Sequence, residues 1–333
     1  MTLAQCTKAP IEETIDSSSK LINENSIASA AEIVTPVEQL SSVGLSAGEK
    51  MRVVTSSNIV ADTITNIGGD VVELIPLLPR GVDPHSYELT TGDLQSIHDA
   101  HVVFISGAGL EENMLATIIK SGNDVPVVSL SEGIKLRTLG VRETNSQAVD
   151  GQYHDDESSK DSHVWFDPTN VIGWSQNAQL ALSALDPGNE TIYQQNTQQY
   201  VDEIKILDTW IMDQVSGIPQ ERRVLVSDHQ SFGYLADRYG FQVVGSVIPS
   251  FSSSASVSAQ DLVDLTNTLQ ELDVKIILVS TTTNPALAES IATDTGASVV
   301  RVYVGALSPP EGPAPTYIDL MRFDIQTIID ALR

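Results

Sequence analysis

Two runs of alternating strand and helix signals, set on either side of one long stretch of helical periodicity, limit the folds open to this chain. The first run opens with an apolar strand from Met51. Asn58 to Ile67 then repeats apolar residues at helical spacing (Ile59, Val60, Ile64, Ile67) until Gly68 and Gly69 stop it. Val71 to Pro76 reads as a second strand, Asp93 to Asp99 as a short helix, His101 to Ser106 as a third strand, Glu111 to Lys120 as a helix and Val125 to Ser129 as a further strand. The second run places strands at Arg223–Ser227, Gln242–Val247, Lys275–Val279 and Ser298–Val304. Helices at Ser231–Tyr239, Ala259–Leu272, Pro285–Thr295 and Tyr317–Leu332 alternate with them. Between the runs, Glu190 to Val215 carries Ile192, Tyr193, Tyr200, Val201, Ile204, Leu207, Ile211 and Val215, which predicts a helix roughly 40 Å long at 1.5 Å per residue. Such alternation implies parallel sheets covered by helices. The expected fold is α/β: two lobes with mainly parallel sheets, at 51–168 and 223–333, joined through linking helices at 169–222 of which one is long and rigid.

Two segments lack this patterning. Residues 1–50 are rich in Ser, Glu, Ala, Asn and Thr, and bury too little to offset the entropy of ordering, so they are expected to form a disordered tether. Residues 140–162 read as a long polar loop in which His154 sits among Asp155, Asp156 and Glu157. That cluster is a candidate for weak metal contacts, a low-affinity collecting arm rather than part of a tight site.

With 44 acidic against 18 basic residues the formal net charge is −26, which repels nucleic acid and anionic membranes and raises the local cation concentration. At 5% aromatic residues and with no basic stripe, a nucleic-acid partner is excluded. Cys6 is the single cysteine, so an intrachain disulfide and a cysteine metal site are both ruled out. No apolar stretch is long enough to span a membrane, and no signal peptide is expected within the chain.

Three histidines lie in separate, well-formed contexts: Asp83-Pro84-His85-Ser86-Tyr87-Glu88, Asp161-Ser162-His163-Val164-Trp165-Phe166-Asp167-Pro168 and Ser227-Asp228-His229-Gln230. Each follows a strand-like run or precedes a helix start, where α/β proteins place binding residues. Three neutral imidazoles without cysteine suit zinc and its first-row neighbours better than calcium or magnesium. Asp83, Glu88, Asp167 and Asp228 are candidate acceptors for the ring N–H groups, which ligating imidazoles require. His98 and His101 lie outside every motif.

From about residue 51 onward the chain resembles the metal-specific solute-binding proteins of bacterial ABC importers, the zinc and manganese type. The resemblance runs in order through Gly81-Val82-Asp83-Pro84-His85-Ser86-Tyr87-Glu88, Gly107-Ala108-Gly109-Leu110-Glu111, His163 to Pro168, Asp186-Pro187-Gly188-Asn189, His229 to Gly240 and Tyr317 to Arg322. It implies a metal held in the interlobe cleft by His85 and His163 of the first lobe and His229 of the second. It also implies delivery to a membrane permease with its ATPase, a monomer outside the cytoplasm, and no enzymatic activity. Leu3-Ala4-Gln5-Cys6 is similar to a lipobox, with Gln5 where a small residue is usual, which implies a lipid anchor at Cys6 as the only membrane attachment.

The resemblance also marks departures. Gly305 stands where the family usually has an Asp ligand, Ile248 where Glu is common, and Ser280 where a strand often ends in Glu. A cleft poorer in carboxylates favours Zn²⁺ over Mn²⁺. Manganese or iron binding, a metal-dependent adhesin and a three-histidine zinc hydrolase remain the alternatives. The hydrolase lacks a His-Glu-x-x-His or Gly-x-Ser-x-Gly motif that would supply its chemistry.

Overall fold

The two alternations form two separate parallel sheets in the computed structural model, which describes residues 34–46, 48–122, 124–138 and 160–333. In the first sheet β1 (Met51–Thr55) lies between β2 (Val72–Pro76) and β3 (Val102–Ile105), with β4 (Val127–Ser129) beyond β3. The second repeats the order: β5 (Val224–His229) between β6 (Gln242–Ile248) and β7 (Ile276–Ser280), with β8 (Ser298–Val302) beyond. All pairings between these strands are parallel. Strand order turns back beside β1 and again beside β5, and such switch points open a crevice at the carboxyl ends of the strands.

Helices follow the strands: α1 (Asn58–Gly68), α2 (Thr91–His98) and α3 (Glu112–Gly122) in the first lobe, and α6 (Gly233–Tyr239), α7 (Ala259–Glu271), α8 (Ala286–Thr295) and α9 (Tyr317–Leu332) with the second sheet. Between them run α4 (Pro168–Leu185) and α5 (Glu190–Ser216). Local chemistry sets their starts. The Ser57 hydroxyl accepts the Val60 N–H at the head of α1, and reciprocal capping boxes pair Thr90 with Asp93 and Ser258 with Asp261 at the heads of α2 and α7. Helix α2 therefore begins two residues before the predicted Asp93, which is the third residue of the helix and the far partner in its capping box.

Period-two alternation in the strands divides the core. Val53 and Phe104 of the first sheet, with Leu225 and Leu278 of the second, join one large cluster that also takes in α1, α4, α5 and α9. Their neighbours face the other way, Val54 and Val103 into an outer first-lobe cluster and Val226 and Ile277 into an outer second-lobe cluster. Along α5 the fully buried Ile204, Leu207 and Ile211 each contribute about 1.5–3 kcal/mol, so tertiary packing holds this long helix in place. Ile192, read from sequence as part of that apolar face, is 38% exposed, one residue out of phase with buried Tyr193.

The tether reading needs correction over residues 34–46. Thr35 donates its N–H to the Val127 carbonyl (2.7 Å) and Val43 to that of Leu185 (2.9 Å), while Val37, Leu40, Val43 and Leu45 pack on the main cluster. Four apolar side chains and the hydrogen bonds of Thr35 to Val127 of β4 are enough to order a segment whose composition alone argued for disorder. Val34–Arg333 is one compact unit. Cys6 and the rest of residues 1–33, and the cluster His154, Asp155, Asp156 and Glu157, lie outside the described residues.

Candidate metal centre

The three sequence-selected histidines meet. His85 sits in the connection after β2, where its N–H is accepted by Asp83 Oδ1 (3.0 Å) and its carbonyl accepts the Asn113 side-chain amide of α3 (2.8 Å). His163 immediately precedes a 3₁₀ turn, Val164–Phe166, and Trp165 lies edge-on to its ring at 5.4 Å between centroids. The indole N–H of Trp165 is held by the Val304 carbonyl, so this histidine is backed by a fixed wall. His229 is the last residue of β5, at the switch point of the second sheet.

His163 Nε2 is 3.3 Å from Nε2 of both His85 and His229. One nitrogen from each ring lies within 4.8 Å of the others, and all three residues are buried. Lone pairs converging in a buried place repel one another unless a proton or a cation stands between them.

Carboxylates fix which nitrogen faces inward. Asp161 Oδ1 lies 3.0 Å from His163 Nδ1, and Asp228 Oδ1 lies 2.8 Å from His229 Nδ1. An Nδ1–H donated to a carboxylate leaves the Nε2 lone pair free for a metal and makes it more basic. Each Asp also accepts its histidine's backbone N–H, at 3.0 Å for His163 and 2.8 Å for His229. Asp228 is held in turn by the Ser280 N–H (2.9 Å) and the Thr283 hydroxyl.

Burial, and next the neighbouring His163, push His85 down to about 3 in the metal-free protein. Burial and then His229 keep His163 well below the usual range. Burial would also lower His229, but facing Asp228 outweighs it and the net direction is upward. Burial raises Asp161 to about 7 despite the His163 N–H and Arg137, whereas the His229 partnership overcomes burial and brings Asp228 down to about 2. Two imidazoles are thus held neutral, as ligation demands, and the third carries most of the proton competition.

The other expected acceptors lie elsewhere. Asp83 binds the His85 backbone rather than its ring, and its second oxygen accepts the Ser253 hydroxyl at 2.5 Å. Glu88 is exposed on the wall of a cleft it shares with His85. Asp167 caps α4 through the Thr169 N–H (2.8 Å) and pairs with Arg238 (3.3 Å), away from the imidazoles. Sequence reasoning missed Asp161. The signal was there, since each site histidine has an aspartate one or two residues upstream that accepts its backbone N–H. His98 is exposed, and His101 Nδ1 accepts the Arg52 N–H (2.9 Å), a structural role.

Gly305 is a place of close approach. A Cβ there would stand 2.8 Å from Cδ and Cγ of Pro84, so the residue before His85 fills the space a larger side chain would need. Among the described residues, His85, His163 and His229 form the one group of three or more His, Cys, Asp or Glu side chains close enough to share an ion.

The family model for ZnuA, zinc-uptake complex component A, periplasmic, matches residues 53–331. Manganese-binding lipoprotein MntA of Halalkalibacterium halodurans is 30% identical over 286 residues, covering 86% of this chain and 89% of that protein. Zinc-binding protein TroA of Treponema pallidum is also 30% identical, over 292 residues, covering 85% and 89%. The solved Mn-bound periplasmic metal-binding protein of Candidatus Liberibacter asiaticus superposes with a TM-score of 0.72 at 29% identity, covering 85% of this chain and 100% of that one.

Proposed function

Because the chain belongs to the ZnuA family of periplasmic metal-binding proteins that serve ABC transporters, we propose that it captures Zn²⁺ outside the cytoplasm with His85, His163 and His229 and passes it to a permease and its ATPase. The observation that carries the choice of ion is the approach of His163 Nε2 to within 3.3 Å of Nε2 of both His85 and His229. Tetrahedral zinc with Zn–N bonds of 2.0–2.1 Å sets its nitrogens about 3.3–3.4 Å apart. Water completes the fourth position, since Gly305 offers no side chain. Manganese prefers oxygen-rich, higher coordination, and among the described residues no carboxylate joins the cluster.

The similarity to a manganese-binding lipoprotein favours the second reading, a site that takes Mn²⁺. Competition titration separates the two. One Zn²⁺ per chain, retained against a large excess of Mn²⁺ and lost in His163→Ala, supports the zinc reading. Displacement of Zn²⁺ by Mn²⁺ at comparable concentration refutes it. A hydrolytic role is disfavoured by the same carboxylates: Asp161 and Asp228 are engaged by imidazoles and neither is left as a general base. We further propose a monomer anchored through acylated Cys6; the lipoprotein name of its relative supports the anchor alone, and metabolic labelling of wild type and Cys6→Ser with a fatty-acid analogue tests it. Among the described residues no helix is long and apolar enough to cross a membrane.

A further inference from the structure

The walls around the three imidazoles are fastened unequally. The connection from β8 to α9 is bonded to first-lobe elements and to the turn after His163 at several points. Arg80 donates to the carbonyls of Ser308 (2.8 Å) and Pro315 (2.7 Å), Asn58 Oδ1 accepts the Leu307 N–H (2.6 Å), and Asp62 accepts the Tyr317 N–H (3.0 Å). The Trp165 indole donates to Val304, and the Tyr317 hydroxyl donates back to the Trp165 carbonyl (2.8 Å). This side cannot open without breaking a row of largely buried bonds.

The connection from β6 to α7, residues 249–257, is different. It carries Ser250, Ser252, Ser253 and Ser254, and its hydrogen bonds are mostly its own: Ser252 N–H to Ser250 Oγ (3.1 Å) and the Ser252 and Ser254 hydroxyls to each other (2.8 Å). Buried Phe251 and the Gln230 N–H to Ser250 carbonyl bond (2.9 Å) root it in the second lobe. Among the described residues, one hydrogen bond ties it to the first lobe, from the Ser253 hydroxyl to Asp83 Oδ2 (2.5 Å, part-buried). The other oxygen of Asp83 holds the His85 N–H. One cleft of about 580 Å³ has walls from both sides, with His85, Glu88 and Asn113 from the first lobe and Ser254 from the second. A water occupies roughly 30 Å³, so a hydrated ion fits with room to spare.

We propose that the serine loop is the gate of the metal site and that Ser253 is its latch, a positioning residue acting on His85 through Asp83. The cation enters and leaves through the cleft, Glu88 attracting it at the wall. Release requires one part-buried bond to break, and the same break loosens the turn that aims His85. This rests on the capture reading and adds to it a route and a rate-setting contact.

Stopped-flow release of Zn²⁺ into excess chelator tests it, on the full chain loaded with zinc alone. Hydrogen bonds to charged groups are among the stronger ones, so Ser253→Ala should release zinc about tenfold faster. Ser253→Thr, which keeps the hydroxyl, should stay near wild type, and metal-free Ser253→Ala should remain folded with only a small fall in melting temperature, since one part-buried bond is lost. In an Asp83→Ala background, adding Ser253→Ala should have no further effect. Release from Ser253→Ala within twofold of wild type, or an equal acceleration in the Asp83→Ala background, overturns the latch while leaving zinc capture standing. A wild-type chain that holds no zinc overturns both.

Discussion

Replacing Asp228 by Asn isolates the contribution of one carboxylate to the centre. Asp228 takes two donors on Oδ1, the His229 N–H and Nδ1–H at 2.8 Å each, and two on Oδ2, the Ser280 N–H at 2.9 Å and the Thr283 hydroxyl. With the Asn oxygen kept toward His229, its NH₂ group faces Ser280 and Thr283. The threonine hydroxyl has another acceptor in the Ser280 carbonyl (3.1 Å), but the buried Ser280 N–H loses its partner, at about 1–3 kcal/mol of stability. His229 meanwhile loses the anion that raises its basicity, and removing such an outer carboxylate typically lowers metal affinity about 10–100-fold. That is about 1.4–2.7 kcal/mol of binding free energy. Chelator competition at pH 7.5, with thermal melts of the metal-free proteins, measures both effects. Asp167→Asn is the control: it keeps an oxygen for the cap of α4, gives up the ion pair with Arg238 and should leave zinc affinity alone, since Asp167 touches no imidazole. A folded Asp228→Asn protein with affinity within twofold of wild type would refute the argument that this carboxylate tunes the ligand.

Proton linkage gives a further expectation. Near pH 5 the metal-free His85 and His163 are already neutral, so zinc must displace a proton from His229 and ionise Asp161, about two protons per ion. Calorimetry in buffers of different ionisation enthalpy counts them, and three would show that the imidazoles titrate like free histidine. Asp62 is raised to about 6, first by burial, with Tyr317 and Tyr200 opposing; the stability this shift confers is full below the unfolded value near 3.9 and is lost as pH rises through 6. Asp62→Asn should therefore raise stability at pH 7.5 by about 1–3 kcal/mol and flatten its pH dependence in denaturant titrations, and a loss of stability would refute the assignment. Deleting residues 143–160 should leave the tight zinc site intact and abolish any weaker second binding event, and a large loss at the tight site would assign a ligand to that loop.

The elements most legible in the sequence were those whose burial follows a simple period. Ile59, Ile64 and Ile67 announce α1, and Ile204, Leu207 and Ile211 announce α5, because one face of a helix meets the core every three or four residues. The strap at 34–46 was not legible, since Val37, Leu40, Val43 and Leu45 follow neither period and are ordered only by the surface they meet. For the site, motif context picked out the three histidines. Their convergence depends on where β5 and two loops meet, which local spacing does not encode. The carboxylates show the limit most clearly. Asp167 lies four residues after His163, yet its side chain turns to a helix end. Asp161, two residues before His163, went unnoticed until its oxygen was placed against the ring.

The shared core has a consequence for how the molecule comes apart. The inner faces of both sheets pack with α5 into one cluster, so neither lobe keeps a complete interior if the other melts. Residues 34–333 should then unfold as a single cooperative event despite their length, without an intermediate in which one lobe survives. An ion bound by His85 and His163 on one side and His229 on the other shifts that single event as a whole, and the cell's supply of the metal becomes a term in the protein's lifetime.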